Sequence, residues 1–296
     1  MEEKLFMDDW IRIEQMPYEG KLYHYTSLAG LKGIIENKEF WVTKSDFLND
    51  KSEIIYISEI IDEVLQSNFK NVSIYLKLKN LFDEHWKKMI LDNVFVLSFS
   101  TNPDSLTLWS EYSKYLGYNI GFKYGKLFEH INNFIWKGKV IYNREEQIRL
   151  LSEVLNYTLN ELCKDQIGSF NTYVDYISYL VENNDDKAQN VFDHFCVICS
   201  VYAMFFKKEC FFCEEEYRFV FWKYKEQVLF RESNQNVIIP YIRKRIISDS
   251  EHKLSIENIT VAPKINIDIA LLGMQEFLQD KGYNVPIVKS EIPLRY

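Results

Sequence analysis

The stretch N-V-F-V-L-S-F-S-T, Asn93 to Thr101, alternates in character along its length. Successive side chains of a strand point to opposite faces. Phe95, Leu97 and Phe99 therefore share one face, suited to a core, and Val96, Ser98 and Ser100 share the other, which offers hydroxyls. Asn102, Pro103 and Asp104 end the strand, and 105–116 is expected to form a short helix, followed by a strand from Tyr118 to Tyr124. On the N-terminal side, Gly20 precedes a Tyr-rich strand from Lys21 to Ser27. Helical spacing at Leu28, Leu31 and Ile35 then predicts a helix over 28–37, capped by Thr26 or Ser27. Phe40 to Thr43 reads as a second short strand with a polar stop at Ser45, Asp46, Asn49 and Asp50. Residues 52–91 carry helical periodicity and are read as two helices broken near Asn68 and Asn71.

Towards the C-terminus, Val140 to Tyr142 is a strand candidate. Residues 145–206 are then largely helical, with interruptions around Gly168 and at 183–186. Phe212 to Trp222, Val237 to Tyr241 and Ile256 to Ala262 read as strands, Ile267 to Lys281 as an amphipathic helix ending at Gly282, and Val285 to Lys289 as a last strand. Strands thus come from both ends of the chain with helices between them, which predicts an α+β fold rather than a regular β-α-β array. The expected organisation is a single domain over 1–296 with a helical insertion at about 145–206. No internal repeat, low-complexity tract or long linker interrupts it.

The 296 residues are 47% hydrophobic and 16% aromatic, enough for a sizeable core and incompatible with whole-chain disorder. A formal charge of −8 and a pI near 5.3 argue against general binding to a phosphate backbone. The N-terminal M-E-E-K-L-F-M-D-D-W is acidic and mixed rather than a leader, and no apolar run approaches the ~20 residues that cross a bilayer. With five cysteines, the expectation is a reducing cytoplasm, free thiols and no membrane partner.

Three groups could carry chemistry. His24, in Y-H-Y-T-S, projects with Thr26 to one side of its strand, and Tyr23, Tyr25 and Ser27 project to the other. It reads either as a hydrogen-bond donor to a ligand's sugar or phosphate, or as a half-buried sheet histidine. In E-E-E-Y-R, strand geometry places Glu214, Glu216 and Arg218 on one face. Carboxylates restrained beside an arginine suit stabilisation of a cationic sugar, although an exposed ion-pair face would look the same in sequence. The third group is Ser98, Ser100, Trp109 and Tyr112, a hydroxyl strand leading into L-W-S-E-Y, where an aromatic ring either stacks on a flat ligand or packs in the core. Cys196, Cys199, Cys210 and Cys213 have the spacing C-x2-C-x10-C-x2-C, with His194 nearby. Their apolar surroundings lack the turn residues of a zinc knuckle, so no metal is expected. A phosphate-binding glycine loop, H-E-x-x-H and G-x-S-x-G are absent.

Y-H-Y-T-S (Tyr23 to Ser27), F-W-V-T-K-S-D-F-L-N-D (Phe40 to Asp50), F-V-L-S-F-S with L-W-S-E-Y (Phe95 to Tyr112), E-x-E-x-R (Glu214 to Arg218) and S-x-I-P-x-R (Ser290 to Arg295) together resemble a bacterial domain-of-unknown-function family that has been proposed to belong to the ADP-ribosyltransferase superfamily. The resemblance implies two small, mainly antiparallel sheets around an NAD cleft, with flanking helices. It implies NAD as substrate, with His24 as ribose holder beside Tyr25 and Thr26, and Ser98 or Ser100, Trp109 and Tyr112 around the nicotinamide. Glu216 would be catalytic, with Glu214 supporting and Arg218 orienting the pair. The implied activity is cleavage of the nicotinamide glycosidic bond and transfer of ADP-ribose to a macromolecule, in a toxin or phage-defence setting that would include an antitoxin or sensor partner. The alternatives are NAD hydrolysis, or a non-catalytic nucleotide- or protein-binding module of the same fold. The acidic balance leans towards a protein acceptor, whereas Lys207, Lys208, Arg243, Lys244 and Arg245 would form local basic strips for nucleic acid.

Overall fold

The computed structural model describes residues 11–48, 53–88, 93–131, 134–164, 167–232, 236–246 and 253–294. The N-terminal stretch 1–10, Asn49, Asp50, Ser52, Leu91 and Arg295, all used in the reading above, lie outside the described residues. In chain order the elements are β1 (Lys21–Thr26), α1 (Leu28–Asn37), β2 (Glu39–Lys44), α2 (Glu53–Asn68), α3 (Val72–Lys88), β3 (Val94–Ser100), α4 (Leu106–Ser113), β4 (Tyr118–Lys123), α5 (Tyr124–His130), β5 (Phe134–Lys139), α6 (Arg144–Cys163), α7 (Tyr173–Glu182), α8 (Asp186–Ala203), β6 (Glu216–Trp222), β7 (Leu229–Glu232), β8 (Ile238–Arg245), β9 (Ile256–Val261), α9 (Ile267–Asp280) and β10 (Ile287–Lys289). The fold is α+β. Among the described residues no helix is long and apolar enough to cross a membrane.

The chain forms two compact units. The first takes the described residues within Met1–Ile13, Leu48–Asp92 and Ile141–Glu209. It is helical, so the segment expected as an insertion at about 145–206 packs with α2 and α3. Ile57, Ile60, Ile61 and Val64 of α2, Leu151 and Leu155 of α6, and Phe192, Phe195 and Tyr202 of α8 are buried. Buried polar groups are matched: Tyr56 donates to Gln147 Oε1 at 2.8 Å, and Gln147 Nε2 donates to the carbonyls of Ile141 and Lys207 at 2.6 and 3.0 Å. A reciprocal Thr172/Asp175 capping box starts α7. Asn184, in the left-handed region, turns the chain into the Asp185 cap of α8.

The second unit takes the described residues within Glu14–Phe47, Asn93–Val140 and Cys210–Tyr296 and holds every strand found among the described residues. Where two separate small sheets were expected, hydrogen bonding joins the ten strands of the described residues in the order β10-β9-β4-β1-β3-β2-β8-β7, with β6 on β3 and β5 on β6. All pairs are antiparallel except β10 with β9. The reason is β3. One edge pairs with β6 from Val94 to Ser100. The other edge is divided: β1 meets it at Ser100, opposite Tyr23, and β2 meets it at Val96 and Phe95, opposite Thr43 and Lys44. Between Val96 and Ser100 neither strand pairs with β3, so the sheet opens into two arms, β1-β4-β9-β10 and β2-β8-β7.

The expected alternation in β3 is present. Phe95, Leu97 and Phe99 join Leu22, Phe40, Ile120, Phe122, Tyr217 and Phe219 in one core, closed by Leu31 and Ile35 of α1, Leu127 of α5, and Met274 and Leu278 of α9. Helix α1 has its expected bounds, with Ser27 Oγ accepting from Gly30 N at 3.1 Å.

Several expectations need correction. Helix α4 stops at Ser113, three residues short of 116, because Lys114 and Tyr115 both take positive φ and end the helix. Tyr124 opens a helix rather than closing β4. Val140 to Tyr142 is not a strand: β5 ends at Lys139, and Ile141 makes only an isolated bridge to Phe206. The polar residues Lys137 and Lys139, alternating on an edge strand, hid β5 in the sequence. The segment expected as a strand from Phe212 begins instead as a 3-10 turn over Glu209–Glu214.

Gly117 links α4 to β4 under steric constraint. An added Cβ would lie 2.2 Å from Ser113 Cβ and 2.4 Å from the Thr26 carbonyl oxygen. Backbone cannot yield there, so Gly117→Ala is expected to lower the unfolding free energy by about 2–3 kcal/mol. Urea denaturation checks this, through a lower midpoint at unchanged slope.

Candidate functional site

Strand register assembles the polar face. Ser98 lies opposite Arg218, and Ser100 opposite Glu216, so all four point away from the Phe95-Leu97-Phe99 core. Glu216 Oε2 accepts from Arg218 Nη2 at 2.7 Å, with side chains only 7% and 1% exposed. This is not the solvated ion-pair face that the sequence allowed. Glu214 belongs to the 3-10 turn and not to the strand, a correction to the reading of three neighbours on one strand face. Glu215 has φ 44° and breaks the alternation between them. Glu214 is nonetheless buried.

Ser100 is part of the turn's anchorage. Its hydroxyl donates to the Glu214 carbonyl at 2.7 Å and accepts from Asn102 N at 3.0 Å. The Glu215 carbonyl accepts from Thr101 N at 2.9 Å, and its carboxylate accepts from Asn102 Nδ2 at 2.8 Å. Ser98 is half-buried on the same face. Tyr112, from α4, is also half-buried, and its hydroxyl is held protonated far above the usual range by burial first, then by the charges of Glu216, Glu214 and Glu111. The structure therefore brings Glu214, Glu216, Arg218, Tyr112, Ser98 and Ser100 into one neighbourhood. A carboxylate fixed by a guanidinium, beside a protonated phenol in a poorly hydrated site, can accept a sugar hydroxyl and stabilise positive charge developing next to it.

His24 and Thr26 project to the other face. The His24 ring packs edge-on against Phe40 and Phe99, with centroids 5.0 and 5.5 Å away. Its Nδ1 lies 3.2 Å from the Ser98 carbonyl oxygen. A carbonyl only accepts, so Nδ1 carries the proton and Nε2 is the free acceptor of a neutral ring. Burial lowers its pKa to about 4, opposed by the Ser98 bond and reinforced by the charge of Arg231. The bond spans the opening between β1 and β2. Thr26 Oγ1 lies against the first turn of α1, where a Cβ on Gly30 would come within 2.0 Å of it.

Tyr25 and Trp109 act beneath the site. Tyr25 donates to the Asn102 carbonyl at 2.9 Å and accepts from Ser105 N at 2.8 Å. Trp109 is fully buried, edge-on to Tyr25 at 4.8 Å, and its Nε1 donates to Asp104 Oδ1 at 2.6 Å. Neither ring offers a face for stacking. Asp104 also accepts from Ser290 Oγ and Glu291 N, each at 2.7 Å. Sequence reasoning took Asp104 only as a strand stop. The usable signal was the N-P-D-S run, where Asp104 N donates to Asn102 Oδ1 at 3.0 Å and Ser105 caps α4.

Cys196 and Cys199 are buried in α8, and burial raises both thiols well above the ordinary range; Cys210 and Cys213 are exposed. Among the described residues no three His, Cys, Asp or Glu side chains form a metal-holding group.

A family described as proteins of unknown function, DUF2971, matches residues 108–219. That stretch contains Trp109, Tyr112, Glu214, Glu216 and Arg218 and stops short of His24, Ser98 and Ser100. No curated protein and no solved structure matches the chain.

Two outcomes are expected. Arg218→Met would leave Glu216 buried without its cation and lower stability by about 3–5 kcal/mol, measured by urea unfolding. For His24, the folded pKa of about 4 lies below the ordinary 6.5. The folded state thus resists protonation, so the stability contributed by the neutral ring is complete above pH 6.5 and is lost as pH falls from there towards 4. The wild-type protein should therefore lose more stability than His24→Gln across that window. Parallel curves for the two proteins would contradict the assignment.

Proposed function

We propose that this protein is an ADP-ribosyltransferase-like enzyme that cleaves the nicotinamide glycosidic bond of NAD and transfers ADP-ribose to a macromolecule. The observation that carries the reading is the buried Glu216–Arg218 pair beside Ser98, at the place where the sheet opens between β1 and β2. Breaking the bond to nicotinamide develops positive charge at the ribose carbon. Glu216, accepting a hydrogen bond from the adjacent ribose hydroxyl, stabilises that charge, and Arg218 keeps the carboxylate ionised and oriented. Glu214 and the Tyr112 hydroxyl lie beside it as acceptor and donor. His24, on the opposite face, serves here as a positioning residue that fixes the Ser98 segment of β3 rather than as a group touching ribose.

The acceptor is read as a protein. The basic groups that would favour nucleic acid are in part neutralised within each unit: Lys208 pairs with Glu59 at 3.8 Å in the first, and Arg243 with Glu39 at 3.3 Å and Lys244 with Glu226 in the second. A toxin or defence setting, with an antitoxin or sensor partner, follows from the resemblance of the motifs. A second reading, a binding module without turnover, is favoured by one fact: Tyr25, Trp109 and Ser100 are all engaged in internal bonds.

Purified protein with NAD and a cell lysate as acceptor source should release nicotinamide, and Glu216→Gln should lower the rate about 10²–10³-fold while remaining folded. Release without labelled acceptor would identify a glycohydrolase. Undiminished release by Glu216→Gln would remove this residue from the chemistry.

A further inference from the structure

The β2-β8-β7 arm carries a feature that the Glu216 site does not use. On one face of this arm the cross-strand contacts fall into three rows, the first two diagonal to the direct register of Glu39 with Arg245 and Trp41 with Arg243. Glu39 pairs with Arg243 at 3.3 Å. Trp41 stacks on Tyr241 with centroids 4.6 Å apart and planes inclined by 26°. Arg231 reaches across β8 from β7 to donate from Nη2 to Thr43 Oγ1 at 2.9 Å. The first row is electrically balanced. The third is not.

Among the described residues Arg231 has no carboxylate partner, and its Nε is buried without a hydrogen-bond acceptor. The guanidinium is half-buried, and burial works against its charge with only the Tyr241 hydroxyl favouring it. A desolvated cation without a counter-charge is costly to a fold, and sites of this kind are completed by an anion. The planar fork of arginine suits phosphate oxygens, with two donors presented side by side. Trp41 is two residues from Thr43 on the same strand, roughly 7 Å away, and is 43% exposed although one side of its ring lies against Tyr241. A phosphate at Arg231 would therefore leave a tethered planar ring within reach of the indole. The Trp41 Nε1 bond to Glu39 at 3.2 Å fixes the ring's orientation, and Arg243 offsets the Glu39 charge that would otherwise repel an anion.

We propose that this arm is a nucleotide-binding subsite, with a phosphate held by Arg231 and Thr43 and a base stacked on Trp41. The inference does not rest on the Glu216 reading: a mononucleotide without a nicotinamide bond is bound here whether or not Glu216 is catalytic.

The test uses AMP, adenosine and inorganic phosphate with the full chain, followed by isothermal titration. AMP should bind the wild-type protein, and Arg231→Met and Trp41→Leu should each weaken it tenfold or more, with adenosine and phosphate alone both weaker than AMP. Without ligand, Arg231→Met should melt at or above the wild-type temperature, because it removes a half-buried charge without a carboxylate partner among the described residues. Absence of AMP binding by the wild type would overturn the proposal. So would AMP affinity unchanged in Arg231→Met, or a lowered melting temperature in that variant with binding retained, which would assign Arg231 a purely structural role. Trp41→Leu binding AMP as tightly as the wild type would overturn the stacking half of the site.

Discussion

The Ser98 carbonyl lies on the one stretch of β3 that neither β1 nor β2 covers, and the His24 Nδ1 proton satisfies it. Backbone carbonyls inside a sheet need donors. A strand would have supplied one from its N–H, but the two candidate strands have parted, one towards β4 and the other towards β8. The imidazole therefore substitutes for a strand. Phe40 and Phe99 pack edge-on against it from two strands, and Phe40 and Phe99 both contact Phe122. The opening is thus filled from the core side, while the opposite side, with Ser98, Arg218 and Glu216, is polar. A neutral ring suits this position, since a charged one would place a cation among aromatic edges and close to Arg231.

The Glu216–Arg218 pair poses an energetic question that packing does not answer. Ion pairs removed from water generally cost about as much in desolvation as they return in attraction, so such a pair is weak evidence for stability. Here the surrounding structure invests further in it. Glu215 is held in the left-handed region, unfavourable for a residue with a Cβ by about 1–2 kcal/mol. Ser100, Thr101 and Asn102 hold that turn in place with five hydrogen bonds to Glu214 and Glu215. Below them, Tyr25, Asp104, Trp109 and Ser290 tie down the loop that carries Asn102. A strained residue and a buried pair supported in this way are more consistent with a site kept for use than with a fold optimised for stability.

Much of this was legible along the chain, and the exceptions have physical causes. The two-residue alternation of Phe95, Leu97 and Phe99 named the core face and the hydroxyl face correctly, because large apolar side chains alternate there with hydroxyls, although β3 is buried on both faces. Ser27 as a cap and Leu31 with Ile35 located α1 for the same kind of reason. Periodicity also placed Glu216 and Arg218 together, and failed at Glu214, since a single positive-φ residue between them leaves no mark in a run of glutamates. Strand alternation separated His24 from Tyr23 and Tyr25 correctly, yet could not say which side faced Glu216, because that depends on how β1 meets β3. The Trp109 stripe could be read as ligand platform or core. Its burial is decided by Asp104 and Ser290, 186 residues apart in sequence. Arg231 went unnoticed because β7 is short, exposed at alternate positions and lacks a strong hydrophobic pattern.

The polar side of the sheet therefore presents two partly or wholly buried arginines in contrasting states. Arg218 is neutralised by a carboxylate two residues away on its own strand, an arrangement that any fold containing β6 would reproduce. Among the described residues Arg231 donates only to a neutral hydroxyl, in a chain with a formal charge of −8 and 43 acidic residues. Acidic side chains reach the other cations of this arm, as Glu39 does for Arg243 from the neighbouring strand and Glu226 for Lys244 from the segment between β6 and β7. Local geometry thus supplies carboxylates to the neighbouring cations and withholds one from Arg231. That contrast separates a guanidinium used to hold a strand from one left able to take an anion from outside the chain.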